Sequence, residues 1–241
     1  MAVTPWDDAI RKRKVLTIFA TGKVKGAWRQ AFTDAIAEFN TLSKSLSLGV
    51  TFDSPAGVTQ PDPVGEGGAE VQFELGNGKL EYKAMGQTFV AKDRQGKEIN
   101  FSPVELHGAT QTLSLAFGAG PARMRRAFIF VPETPMVSAL MKASNRPDDF
   151  KSVQREAGPG IRRFIAVHEL IHACGLSNDE HNVQGPDADV FTIFPSVSAG
   201  LFDKPQEDKL LLHLAHPKPN VFAPPITIKK KVADLIRDNW K

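Results

Sequence analysis

Apolar residues recur along this chain with two different periods, and the switches between them mark out its elements. VLTIFA (Val15 to Ala20) is rich in β-branched and aromatic residues and reads as a first strand. Trp28, Phe32, Ile36, Phe39 and Leu42 then recur every three or four positions, which predicts an amphipathic helix over roughly 27–44. Val50 to Phe52 closes a strand–helix–strand unit, a pattern that ordinarily joins parallel strands. SPAGVTQPDPVGEGG (Ser54 to Gly68) is a Pro- and Gly-rich loop. AEVQFEL and LEYKAMGQTFVAK follow on either side of Gly76 to Gly78, and this GNG predicts a hairpin. TQTLSLAF (Thr110 to Phe117) is a further strand. RRAFIFV (Arg125 to Val131) is apolar without alternation, as a strand covered on both faces would be.

Pro132 to Pro135 interrupts that strand, and a helix is predicted over about 136–144. The turn EAGPG then precedes IRRFIAVHELIHACG, the clearest helix in the chain, at about 160–175. Ile161, Phe164, Ile165, His168, Ile171 and His172 share one side of it, and Gly175 stands where a helix C-terminus is expected. Beyond it the pattern is irregular, with a short helix possible over Asp203 to His216. A last helix uses Ile228, Val232, Leu235 and Ile236 as its apolar face.

Composition bounds the reading without deciding it. With 241 residues, 41% hydrophobic and 24% charged, the chain can bury a core unaided, so a metal would be functional rather than a folding staple. The single cysteine, Cys174, allows no intrachain disulfide. Net charge is +3, and the dense basic runs are Arg11 to Lys14 and Lys229 to Lys231. Without interleaved aromatics they read as solvated ends, so no nucleic-acid partner is expected. MAVTPWDDAIRKRK lacks the apolar stretch of a signal peptide, and no apolar run is long enough to span a bilayer. The expectation is synthesis in the cytoplasm, with lysis, injection or packaging into a particle as routes outward, and no membrane partner.

The chemistry concentrates in HELIHACGLSNDEH, residues 168 to 181. Residues four apart on a helix point the same way, so His168 and His172 can aim two imidazoles at one point from a rigid rod. Imidazole nitrogen suits Zn2+, and Glu169 lies where its carboxylate can reach a water at that metal. Metal-acidified water beside a carboxylate base is the arrangement of metal-assisted hydrolysis. For a third ligand the sequence offers His181, Asp179, Glu180 and Asn178 close behind, and neutral asparagine is a poor zinc ligand compared with imidazole or carboxylate.

This stretch resembles the metzincin metalloproteases, whose pattern is HExxHxxGxxH followed by a methionine-containing turn. His168, Glu169, His172 and Gly175 match position by position, whereas the family's third histidine falls at Asn178. FTIFPSV (Phe191 to Val197) looks like the family's turn with Ile193 in place of methionine, and isoleucine has similar apolar volume. The order of strand, Trp-opened helix and further strands before the motif helix also resembles a metzincin N-terminal lobe. The resemblance implies an α+β, zincin-like fold: a twisted mixed sheet, an active-site helix and a smaller irregular C-terminal lobe. It further implies one domain over 1–241, with lobes of about 1–175 and 176–241. An antiparallel edge strand would bind the substrate backbone, and Thr110 to Phe117 is the candidate.

Other residues fit plainer roles. Cys174 points away from the metal position and reads as a buried thiol, and His107, His213 and His216 read as structural or surface residues. Glu207 would be the third ligand in a gluzincin-like hydrolase. Tyr82, the only tyrosine, stands on a hairpin remote from the motif. The expected activity is zinc-dependent endopeptidase action on a peptide or protein substrate, with Glu169 as general base and His168, His172 and His181 on zinc. The competing class is a non-catalytic zincin-fold module serving a larger assembly.

Overall fold

The computed structural model describes residues 3–62, 67–93, 96–104, 108–115, 120–142, 150–176 and 226–241. They form a mixed α+β fold. In chain order the elements are α1 (Asp8–Arg13), β1 (Val15–Ala20), α2 (Gly26–Leu46), β2 (Thr51–Asp53), β3 (Val71–Gly76) and β4 (Gly78–Lys79). Then come β5 (Glu81–Ala84), β6 (Gln87–Val90), β7 (Asn100–Phe101), β8 (Ala109–Leu115) and β9 (Arg123–Pro132). β10 (Met136–Lys142), β11 (Phe150–Glu156), α3 (Pro159–Ala173) and a C-terminal helix, α4 (Lys230–Asn239), complete the set.

Five strands make the central sheet, in the order β2-β1-β3-β9-β8. The first four run parallel, and β8 at the edge is antiparallel to β9. The unbroken apolar run in β9 follows from cover on both faces. Ala127, Ile129 and Val131 enter the core beneath the helices, while Phe128 and Phe130 enter a second cluster with Leu80, Ala84, Ala91 and Phe101. At the other edge, the Asn40 side chain on α2 bonds both the N–H and the carbonyl of Phe52, each at 2.9 Å. That contact occupies polar groups that an edge strand would otherwise expose.

Between β1 and β3 the ladder is extended by a side chain. Glu70 accepts from the Thr17 N–H at 2.8 Å and from Arg13 Nη2 at 2.7 Å, and from the Thr17 hydroxyl. Burial pushes this carboxyl's pKa up, but the hydrogen bonds from Arg13 and Thr17 and the Arg13 charge outweigh it and hold it below the usual carboxylate value.

Two expectations change. The segment at 136–144 is not a helix: residues 136–142 form β10, paired antiparallel with β11 in full register from Met136↔Glu156 to Lys142↔Phe150. Met, Ala and Leu favour helices locally, but a strand partner fourteen residues on overrides that weak preference. The GNG stretch does not close a hairpin on β3, because β1 and β9 already occupy both its edges. The hairpin forms one element later, between β5 and β6, where Met85 and Gly86 take φ of 49° and 71°. The basic run at Arg11 to Lys14 closes α1, with Lys12, Arg13 and Lys14 exposed to solvent as expected. Asp7 caps α1 by accepting from the Ala9 N–H at 2.9 Å, Ile10 is buried, and the cations fall in the last turn, where the helix dipole favours them.

Helix α4 joins the same core as α2 and α3, burying Val232, Ala233, Ile236 and Trp240. None of the described helices is long and apolar enough to cross a membrane.

Candidate metal centre

Helix α3 starts where the sequence turns from EAG to a proline at the first helical position, a place where a missing N–H costs nothing. From Ile161 to Ala173 every residue but Arg163 is buried, so each polar group on it requires a partner. Arg162 is held by the Glu156 carboxylate and the Ala157 carbonyl, with its guanidinium 5.7 Å from the Trp28 ring centre.

The C-terminal carbonyls of α3, which have no partner within the helix, are met by residues from both ends of the chain. Trp6 Nε1 donates to Ala173 O at 2.8 Å. Asn239 Nδ2 and Trp240 Nε1 both donate to Cys174 O at 3.0 Å, and the Thr4 N–H donates to Gly175 O at 2.8 Å. Gly175 turns the chain with φ of +107°, and a Cβ there would lie 2.4 Å from Thr4 O. Gly175→Ala is therefore expected to destabilise the fold by at least about 1–3 kcal/mol, read as a lower midpoint in urea.

That turn sets the chemistry of His172. It brings the Leu176 carbonyl back to 3.0 Å from His172 Nδ1. A carbonyl only accepts, so Nδ1 carries the proton and donates, and Nε2 faces the other way. Fixing the tautomer through the outer nitrogen is the usual support of a metal-ligating histidine. His172 Nε2 lies 3.2 Å from His168 Nε2, with the rings inclined at 64°. Two nitrogens each at 2.0–2.1 Å from a tetrahedral zinc stand about 3.3–3.4 Å apart. The pair fits a zinc ion, although a shared N–H between two neutral imidazoles has a similar length.

Glu169 is 2% exposed, and its Oε1 is 4.0 Å from His168 Nε2. Its other oxygen, Oε2, accepts from the Thr110 hydroxyl of β8 at 2.6 Å. The edge strand thus lies directly beside the motif helix. Gly108, just before β8, leaves space for the carboxylate: a Cβ there would sit 2.7 Å from Glu169 Cγ, Cδ and Oε1.

The structure brings His168, Glu169 and His172 together. The residues weighed as third ligand (His181, Asp179, Asn178, Glu180 and Glu207) lie outside the described residues, as do Ile193, His107, His213 and His216. Among the described residues no group of three His, Cys, Asp or Glu side chains forms a metal cage. Cys174 is fully buried, its thiol donates to Leu170 O at 3.3 Å, and burial pushes its pKa well above the ordinary thiol value. Tyr82 stacks on Phe128, whose side chain faces away from α3, so the phenol stands across the sheet from Glu169.

No family model, curated protein or solved structure matches this chain.

Sequence reasoning missed Thr110 and Gly108 as neighbours of Glu169, since no local pattern links residues about sixty positions apart. It also missed Trp6, Asn239 and Trp240 as anchors of α3. A signal existed there: two of the three tryptophans lie within six residues of the chain's ends, and a side chain of that size is rarely left undocked.

Proposed function

We propose that the chain is a zinc-dependent endopeptidase with a metzincin-like frame, in which His168, His172 and His181 hold the metal and Glu169 is the general base. The observation that carries this reading is the pair of Nε2 atoms 3.2 Å apart, with the His172 tautomer fixed from outside and a buried carboxylate 4.0 Å away. A structural metal site has no use for an acceptor at that place. The position of β8 also supports the reading. It is antiparallel, it lies at the sheet edge beside Glu169, and among the described residues no strand pairs with its outer side.

Zinc held by these imidazoles supplies Lewis acidity, which makes water a nucleophile at neutral pH and polarises a carbonyl. Glu169 accepts the proton of the attacking water and passes it to the leaving amine. The outer edge of β8 aligns an extended peptide by strand addition, which fixes its backbone before any side chain is read. His168, Glu169 and His172 are buried, so their charge interactions are stronger than in solution.

The test is cleavage of an unfolded protein substrate before and after chelation with 1,10-phenanthroline. Chelation is expected to abolish cleavage and one equivalent of zinc to restore it. Full cleavage by metal-free protein would overturn the proposal. One bound zinc with no cleavage across a diverse peptide library would favour a zincin-fold binding module instead.

A further inference from the structure

We infer that Thr110 is a positioning residue for the Glu169 carboxylate and that Gly108 keeps the carboxylate's place open; as a role in catalysis this rests on the hydrolytic reading above. The terminal torsion of a glutamate is broad, so the two carboxylate oxygens of a free side chain exchange places readily. Here they are distinguished. Thr110 Oγ1 donates to Oε2 at 2.6 Å, a short bond from a residue that is itself 7% exposed. The same hydroxyl is 3.4 Å from the Glu169 backbone carbonyl, a longer and weaker contact. Anchoring Oε2 leaves Oε1 as the oxygen on the imidazole side, 4.0 Å from His168 Nε2.

Gly108 restricts the carboxylate from the other direction. Any side chain at 108 would bring a Cβ to 2.7 Å from Oε1, Cδ and Cγ, so the carboxylate would have to move. Thr110 holds it and Gly108 admits it. Both residues belong to the segment that enters the edge strand, and Thr110 pairs with Ile129 of β9. The strand placed to align a peptide therefore also sets the base, so the register of a bound substrate and the position of the proton-accepting oxygen are fixed by one element.

The test compares wild type, Thr110→Val, Thr110→Ser and Gly108→Ala for kcat, KM, zinc content and crystal structure. Valine keeps the shape and β-propensity of threonine but removes the donor. Thr110→Val is expected to lower kcat by about 10²-fold, with KM and zinc content unchanged, because a misplacement near 1 Å costs on that order. Thr110→Ser is expected to recover most of the loss, which a purely structural role would not produce. Gly108→Ala is expected to show the same fall in kcat, which keeps the inference testable if the valine variant does not fold. Wild-type kcat in Thr110→Val, or a serine variant as impaired as valine, would overturn it. Should wild type cleave nothing, the hydrolytic reading falls by itself, and the crystal structures still decide the positioning. A Glu169 carboxylate displaced in Thr110→Val supports the inference, and an unmoved one overturns it.

Discussion

Glu169→Gln is expected to lower kcat for peptide hydrolysis by about 10²–10⁴-fold and to leave zinc content unchanged. Glutamine has nearly the volume and shape of glutamate, so the buried space around residue 169 stays filled. The Thr110 hydroxyl still finds a carbonyl oxygen to donate to, and His168 and His172 still present their nitrogens. What is lost is the ability to accept a proton, because an amide is not a base near neutral pH. The measurement is steady-state kinetics on a fluorogenic peptide, with elemental analysis of the same samples. Activity within about threefold of wild type would remove Glu169 from the role of base. Lost zinc together with lost activity would mean that the variant disturbed the ligands, and Thr110→Val would then be the cleaner probe.

Trp240→Ala is expected to cost about 3–5 kcal/mol of stability, the usual range for emptying a buried aromatic site. Trp240 is 1% exposed and donates from Nε1 to Cys174 O at 3.0 Å. Its removal leaves a cavity beneath α3 and takes away a hydrogen bond from the end of the motif helix. For a chain of this size the loss corresponds to a fall in Tm of roughly 6–20 °C. It is a large share of the ~5–15 kcal/mol that holds a typical domain together. Thermal unfolding followed by far-ultraviolet circular dichroism measures it. A shift below about 2 °C would show that the C-terminal residues are not part of the cooperative core. Because His172 lies within three residues of the anchored carbonyls, zinc affinity is expected to fall with stability.

The parts legible in the sequence were those where local pattern and tertiary role agree. Trp28, Phe32 and Phe39 recur on one face of α2, and all are buried. His168 and His172 needed only the helical period to be placed side by side. Alternation in TQTLSLAF made a strand legible there, while its place as an antiparallel edge came only from the resemblance and is what the pairing with β9 shows. Illegible were features made by distant partners. The strand at Met136–Lys142 exists because Phe150–Glu156 pairs with it, and composition alone favours a helix there. The β3 edges were filled by β1 and β9, which no turn signal at Asn77 could reveal. At the site, the histidine pair and Glu169 were legible from the HELIH spacing on one helix. The contacts that orient them come from Leu176, Thr110 and Gly108: one through a left-handed turn, two from the edge strand packed beside α3.

The central claim is that His168 and His172 ligate zinc, and X-ray absorption at the zinc edge tests it most directly. Zinc-loaded wild type is expected to show four nitrogen or oxygen neighbours at about 2.0–2.1 Å with imidazole outer-shell scattering, and His168→Ala and His172→Ala are each expected to lose the metal. A sulfur neighbour near 2.3 Å, or zinc retained without change in both variants, would contradict the account.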